Sequence, residues 1–326
     1  MTTTTKTPKL GATGEAGNIL SLGEDQESRS GVSNFQRSLN RLRKHRMAMV
    51  GAGILVCLLL WITVWSFIIP EPASRFNDPA NKLLFPSSEH WFGTDQIGRD
   101  LFARAIYGGQ ISLFIGVTAV MVQIFIGTLV GLLAGYLGGI VDAVLMRVVE
   151  AMLSIPQLFI ALIAIRLFAG QIPDFRFADR DFSSTLIVMI LVIGFTSWMR
   201  ISRIVRSVVL SIKEQEFITA ARSLGVPIRR ILVQHVLPNC IAPIIVSATL
   251  GVASAVLLEA YLGFLGFGVR APTPTWGNII GDAYRFMLQG YWFFWFFPAV
   301  YIVLTVLGIN FLGDGLRDAF DPKSLK

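Results

Sequence analysis

Glu259 is the one charged residue in the apolar run at residues 241–262. An ionisable side chain inside a run long enough to cross a bilayer is a functional-site candidate by default. Its place near the end of that run also suits a solvated or purely structural role, and both readings stay open. The other groups that could do chemistry are dispersed. His45, His90 and His235 lie in three separate polar segments and suggest no metal cluster. Cys57 and Cys240 sit in or beside apolar runs without metal-ligand spacing, so neither a disulfide framework nor a zinc site is indicated. There is no His-Glu-x-x-His and no Gly-x-Ser-x-Gly pattern. The chain also has no Gly-Lys dipeptide and therefore no P-loop. Bound cofactors and metals are not expected on it, and any nucleotide it depends on must bind another chain.

These residues are positioned by helices in lipid. The chain is 53% hydrophobic and 15% charged, less charged than a soluble domain of 326 residues. Apolar runs of membrane-spanning length are read at about residues 47–69, 111–137, 148–168, 182–199, 241–262 and 291–312. The fold expected is an all-α integral membrane protein with six transmembrane helices. Residues 1–46 form a basic tail whose first 36 residues have a disordered composition. Residues 70–110 form an outside segment, residues 111–312 a core of five further spans, and residues 313–326 a second tail. Nineteen of the 28 Lys and Arg fall in the tails and in the segments around residues 147 and 200–230. This asymmetry puts both termini on the cytoplasmic side. It also accounts for the net charge of +7 without nucleic-acid binding.

Four local features stand out. Gly127, Gly131 and Gly135 repeat every four residues, a spacing that lets helices pack closely in lipid. Pro156 kinks the third span, either structurally or beside a pathway. Asp100 and Arg104 are spaced as an ion pair on a solvated surface helix. Arg200, Arg203 and Arg206 line one face of a helical extension, with anionic lipid headgroups as their default partner.

The fifth feature is the charged stretch at residues 213–239. Phe217, Ala220, Ala221 and Leu224 fall on one helical face, and Gly225 permits a bend. Ile228, Ile231, Leu232 and His235 make a second face, which Pro238 is expected to end. By periodicity alone two readings are level, an amphipathic connector resting on the lipid surface and a helix whose small Ala side chains admit a partner.

The order Ala220-Ala221, Gly225, Val236-Leu237-Pro238 resembles the cytoplasmic signature loop of ABC importer permeases, with Thr219 where the usual form has Glu. Gly93-Thr94-Asp95 and Gly98-Arg99-Asp100, with the Gly- and Pro-rich residues 262–280, resemble the dipeptide and oligopeptide branch of that family. The resemblance spans roughly residues 37–322. It implies the type I importer permease fold, with a coupling helix that docks on an ATP-binding subunit. It assigns coupling to Glu216, Phe217, Ala220, Ala221, Arg222, Leu224, Gly225, His235, Leu237 and Pro238. It further implies a bacterial-type inner membrane, a sister permease, two ATP-binding subunits carrying ATP and Mg, and an extracytoplasmic solute-binding protein. The cargo implied is a di- or oligopeptide, and relatives that carry nickel complexes, glutathione or oligosaccharides are the alternative. A stand-alone secondary transporter would favour several ionisable residues at mid-bilayer and an internal repeat, and neither stands out.

Overall fold

The computed structural model describes residues 34–177 and 180–320. The disordered composition read for residues 1–36 falls almost wholly outside that range, as do the last six residues of the second tail. A basic helix α1 (Asn34–Lys44) leads through His45 into α2 (Arg46–Ile68). His45 accepts from the Ala48 N–H at 3.1 Å and so caps α2. Pro70 follows the end of α2 and opens the segment at residues 70–100.

Helix α3 (Leu101–Leu137) is longer than the run at 111–137 suggests. Its first ten residues, read above as part of the outside segment at 70–110, are almost entirely buried in the fold. Asp100 is the N-cap and accepts from Ala103 N–H at 2.8 Å. The expected Asp100–Arg104 surface pair is therefore not formed. Asp100 contacts His90 at 2.7 Å, while Arg104 is buried and pairs with Asp95 and Asp282.

The third run is two helices, α4 (Gly139–Ser154) and α5 (Gln157–Phe168), meeting at 89°. Pro156 lacks an N–H and caps α5, so the kink is a full break. Asp142 and Arg147 both lie within α4. A short antiparallel pair, β1 (Phe175–Phe177) and β2 (Arg180–Phe182), precedes α6 (Thr185–Phe195). After a break at Thr196 and Ser197, α7 (Trp198–Ile212) continues the same path.

The charged stretch forms α8 (Glu216–Ser223) and α9 (Ile228–Ile231). Pro238 does not end a helix as expected. A widened turn at Leu232–Val236 passes directly into α10 (Leu237–Phe264), with Pro238 in its first turn. The wide turn makes room for a ring that would otherwise strike a carbonyl one turn back. Asn239 Nδ2 donates to the His235 carbonyl at 2.6 Å.

The segment after α10 is a buried helix rather than an open loop. Helix α11 (Trp276–Ala283) opens with a capping box between Thr275 and Asn278. Helix α12 (Phe293–Phe320) runs eight residues past the predicted end of the last span. Five helical stretches are long and apolar enough to cross a membrane, and the bent pair α4–α5 makes six if counted as one broken span.

Helix α3 is the hub, packing on α7, α10 and α6. The three glycines are its face toward α7. A Cβ would lie 2.7 Å from the Trp198 carbonyl at Gly127, 2.6 Å from the Ser202 carbonyl at Gly131 and 2.7 Å from Val209 Cβ at Gly135. Helix α2 lies equally close to α12, where a Cβ on Gly51 would be 2.6 Å from the Gly308 carbonyl.

Candidate functional site

Helix α8 sits across the end of the bundle, held from below. Ile218 and Ala221 are buried in a cluster with Val205, Val209 and Ile212 of α7, Tyr136 of α3 and Ile231 of α9. The single helical face expected for Phe217, Ala220, Ala221 and Leu224 is thus divided. Ala221 belongs to the inward side with Ile218, because α8 must bury a stripe against its own chain. Phe217, Ala220 and Leu224 remain exposed, Leu224 at 82%. With the half-exposed Ile228, they leave an apolar surface at the tip. Glu216 is exposed in the first turn and Leu237 is partly buried.

The end of α8 is a Schellman motif. Val226 N–H donates to the Ala221 carbonyl at 3.1 Å and Gly225 N–H to the Arg222 carbonyl at 2.9 Å. Gly225 has φ +73°, and nothing lies within 4 Å of where its Cβ would be. Its requirement is for left-handed backbone, not for space.

Two side-chain links carry α8 into the bundle. Arg222 Nε donates to Tyr136 Oη at 3.2 Å, and its guanidinium lies 5.0 Å from that ring's centre. Tyr136 is one residue from the end of α3. The rings of Phe217 and His235 are 6.4 Å apart, joining α8 to the wide turn below α10. The basic row on α7 is not uniform in its partners. Arg206 binds Asp142 of α4, with Nη2 to Oδ2 at 2.6 Å, so it clamps two helices instead of facing headgroups. Arg203 remains exposed.

Between the helices a cleft of about 370 Å³, called the chamber below, opens to the chain's surface. It is lined at the α4–α5 break by Ile155, Pro156 and Gln157, at the α6–α7 break by Thr196 and Ser197, and by Arg200. Gln123 of α3 and Ser247, Gly251 and Ser254 of α10 complete its polar wall. Gln157 Nε2 donates to Ser197 Oγ at 2.6 Å and to Thr196 Oγ1 at 3.3 Å, bracing one break against the other. Irregular backbone at membrane depth is tolerated where it lines such a cavity. Of the two pathway candidates, Pro156 lines the chamber and Glu259 does not. Glu259 is fully buried and accepts from Ser112 Oγ at 2.9 Å, and that hydroxyl accepts from the Trp276 N–H at 3.1 Å. It ties α10 to α3 and α11, and no solvent reaches it. Sequence reading missed the chamber's amides and hydroxyls. Their signal was faint: single neutral polar residues in otherwise apolar runs.

At the opposite end from α8, Asp95, Arg99, Arg104 and Asp282 form an ionic network. Asp95 is fully buried and binds both arginines, with Arg99 Nε at 2.6 Å, and accepts backbone N–H bonds from Ile97 and Arg99. Burial alone pushes the Asp95 carboxyl up, but Arg104, Arg99 and the two N–H groups hold it below the ordinary carboxylate range. Gly93 and Gly98 have positive φ, and a Cβ on Gly98 would strike the Asp78 carbonyl. The Gly-Thr-Asp and Gly-Arg-Asp pattern is thus a folded clasp that joins residues 70–100 to α3 and α11.

Residues 127–326 match the family described as binding-protein-dependent transport system inner membrane component. The chain belongs to that family. It is a permease subunit, a transport component and not an enzyme. Residues 33–86 match a second family, the N-terminal TM domain of oligopeptide transport permease C. The chain is 38% identical over 299 residues to the dipeptide transport system permease protein DppC of Bacillus subtilis, covering 92% of this chain and 89% of that one. It is 35% identical over 303 residues to the oligopeptide transport system permease protein OppC of the same organism, covering 92% and 93%. A solved structure described as inward facing conformations of the MetNI methionine ABC transporter shares the fold. Its TM-score is 0.52 at 21% identity, over 68% of this chain and 97% of that one.

Proposed function

We propose that the chain is one of two permeases of an ATP-driven importer of di- and oligopeptides in a bacterial-type inner membrane. A sister permease completes the path, two ATP-binding subunits carry ATP and Mg, and an extracytoplasmic binding protein delivers cargo. Both termini and α8 lie on the cytoplasmic side. The observation that carries this reading is the exposed apolar tip of α8, Phe217, Ala220 and Leu224, on a helix whose other side is rooted in the bundle. An apolar tip of this kind suits burial against a partner.

The route of coupling follows from what α8 touches. Arg222 reaches α3, Ile218 and Ala221 reach α7, and Phe217 reaches the turn below α10. Those three helices also carry Gln123, Arg200 and Ser247–Ser254 of the chamber wall. A displacement of α8 by the ATP-binding subunits is therefore delivered to the helices that shape the cavity. The relatives named for dipeptide and oligopeptide transport support the cargo class.

The test is uptake of a labelled dipeptide by liposomes holding the assembled complex, with binding protein outside and ATP within. Gly225→Val places a β-branched residue at φ +73°, a conformation that costs about 1–3 kcal/mol. The expected result is normal membrane insertion, weakened retention of the ATP-binding subunits and lost uptake. Wild-type retention and uptake in Gly225→Val would reduce α8 to a connector. A wild-type complex that hydrolyses ATP but takes up no peptide would overturn the cargo.

A further inference from the structure

Both interruptions of the bundle open on the same space, and Gln123 faces it from α3. Gln123 is 8% exposed as a residue, and its amide makes no hydrogen bond among the described residues but opens on the cleft and is not sealed from it. An amide that opens on a cleft can exchange its water for a ligand's donor and acceptor. Across the gap, Gly251 has no side chain. A Cβ there would come within 3.6 Å and 3.7 Å of the two terminal atoms of the Gln123 amide, narrowing the space in front of it. Gln157 is already engaged in bracing the two breaks, so it does not compete for Gln123. Ser247 and Ser254 stand one turn before and one after Gly251.

Apart from Arg200, the polar wall is built from neutral amides and hydroxyls. An amide side chain both donates and accepts, as a peptide unit does. Peptides of differing sequence share only their backbone and their termini. We propose that the chamber holds an extended peptide by its backbone, Gln123 pairing with a main-chain amide and Arg200 with the terminal carboxylate. This rests on the peptide-importer reading above and adds the residues that would recognise the cargo. The chamber's volume is at the low end of small-ligand pockets, roughly 300–1,000 Å³, so it holds one or two residues at a time. A guanidinium is suited to a carboxylate through paired N–H bonds. Neutral partners elsewhere keep the hold weak enough for release and leave side-chain identity unread.

The experiment compares Ala-Ala with its C-terminal amide in liposomes holding the assembled complex, at matched loading of the binding protein. Wild type should move the free acid faster than the amide. Arg200→Gln, at an exposed side chain, should lower that acid-to-amide ratio about tenfold, as loss of one charge-assisted hydrogen bond predicts. Gln123→Leu should slow both peptides by about three- to tenfold without altering the ratio, as loss of one neutral hydrogen bond predicts. Should Gln123→Leu fail to assemble, the Arg200→Gln ratio alone decides. An unchanged ratio in Arg200→Gln, with wild-type Ala-Ala uptake intact, overturns this proposal and leaves the importer reading standing. Absence of Ala-Ala uptake by the wild-type complex overturns both.

Discussion

Gly131→Ala tests the packing that sets the shape of the bundle. The added methyl would sit 2.6 Å from the Ser202 carbonyl oxygen, 2.7 Å from Val205 Cβ and 3.0 Å from Val205 Cγ1. Carbon atoms rest at about 3.5–4.0 Å, so α3 and α7 must part by roughly 1 Å. Rotamer change offers no relief, because two of the three neighbours are a backbone oxygen and a Cβ. Separation would also loosen Gly127 and Gly135, whose contacts with α7 are as close. Overpacking of this kind costs about 1–3 kcal/mol, and two fixed neighbours argue for the upper half. At about 2–4 °C per kcal/mol, the melting temperature should fall by roughly 4–12 °C. Gly53→Ala is the control, since nothing lies within 4 Å of its Cβ. The assay is thermal unfolding of the purified chain in detergent, followed by size exclusion after heating. Gly131→Ala melting with Gly53→Ala would show that the α3–α7 face is not closely packed and would refute the reasoning.

The divided face of α8 separates two further variants: Leu224→Glu should leave the chain's yield unchanged and weaken retention of the ATP-binding subunits, while Ala221→Glu should lower the yield itself. Measuring both quantities in both variants checks this, and equal effects would mean that the two residues share one face after all. Asp95→Asn should be severe, because it removes the buried carboxylate that pairs with both Arg99 and Arg104 and leaves only Asp282 to them, at a cost of about 3–5 kcal/mol. Raised protease sensitivity of residues 70–100 is the readout, and a wild-type digestion pattern would count against the clasp. Because the folded Asp95 carboxyl titrates below the usual value of about 3.9, its contribution is full above that pH. It is lost only as pH falls through the lower, folded value, so the Asp95 network itself should add no pH dependence to the melting of residues 70–100 between about pH 5 and 7, and Asp95→Asn should leave the shape of that pH profile unchanged. Cys probes at Ser88 and Ser223, both exposed, should label from opposite sides of the membrane in a background lacking Cys57 and Cys240. Labelling from the same side would overturn the orientation.

The sequence by itself determined that this is a helical membrane protein, because apolar runs of bilayer length have no other stable fate in lipid. It also determined the small-residue face of α3 and the bend at Gly225, since both depend on what glycine lacks. The clasp residues were visible as a pattern, but not as a buried network, because Asp282 joins them from far along the chain. Local spacing suggested Asp100 with Arg104, and tertiary packing gave each a different partner. Periodicity likewise put Ala221 with Leu224, and could not say which part of an amphipathic face turns to the chain's own core. Pro238 was read as a stop because a wide helical turn leaves no mark in composition. The chamber belongs to the tertiary structure alone. Gln123, Gln157, Ser197 and Ser254 come from four separate stretches of chain, and only the breaks at Pro156 and Thr196 bring their polar atoms to one space.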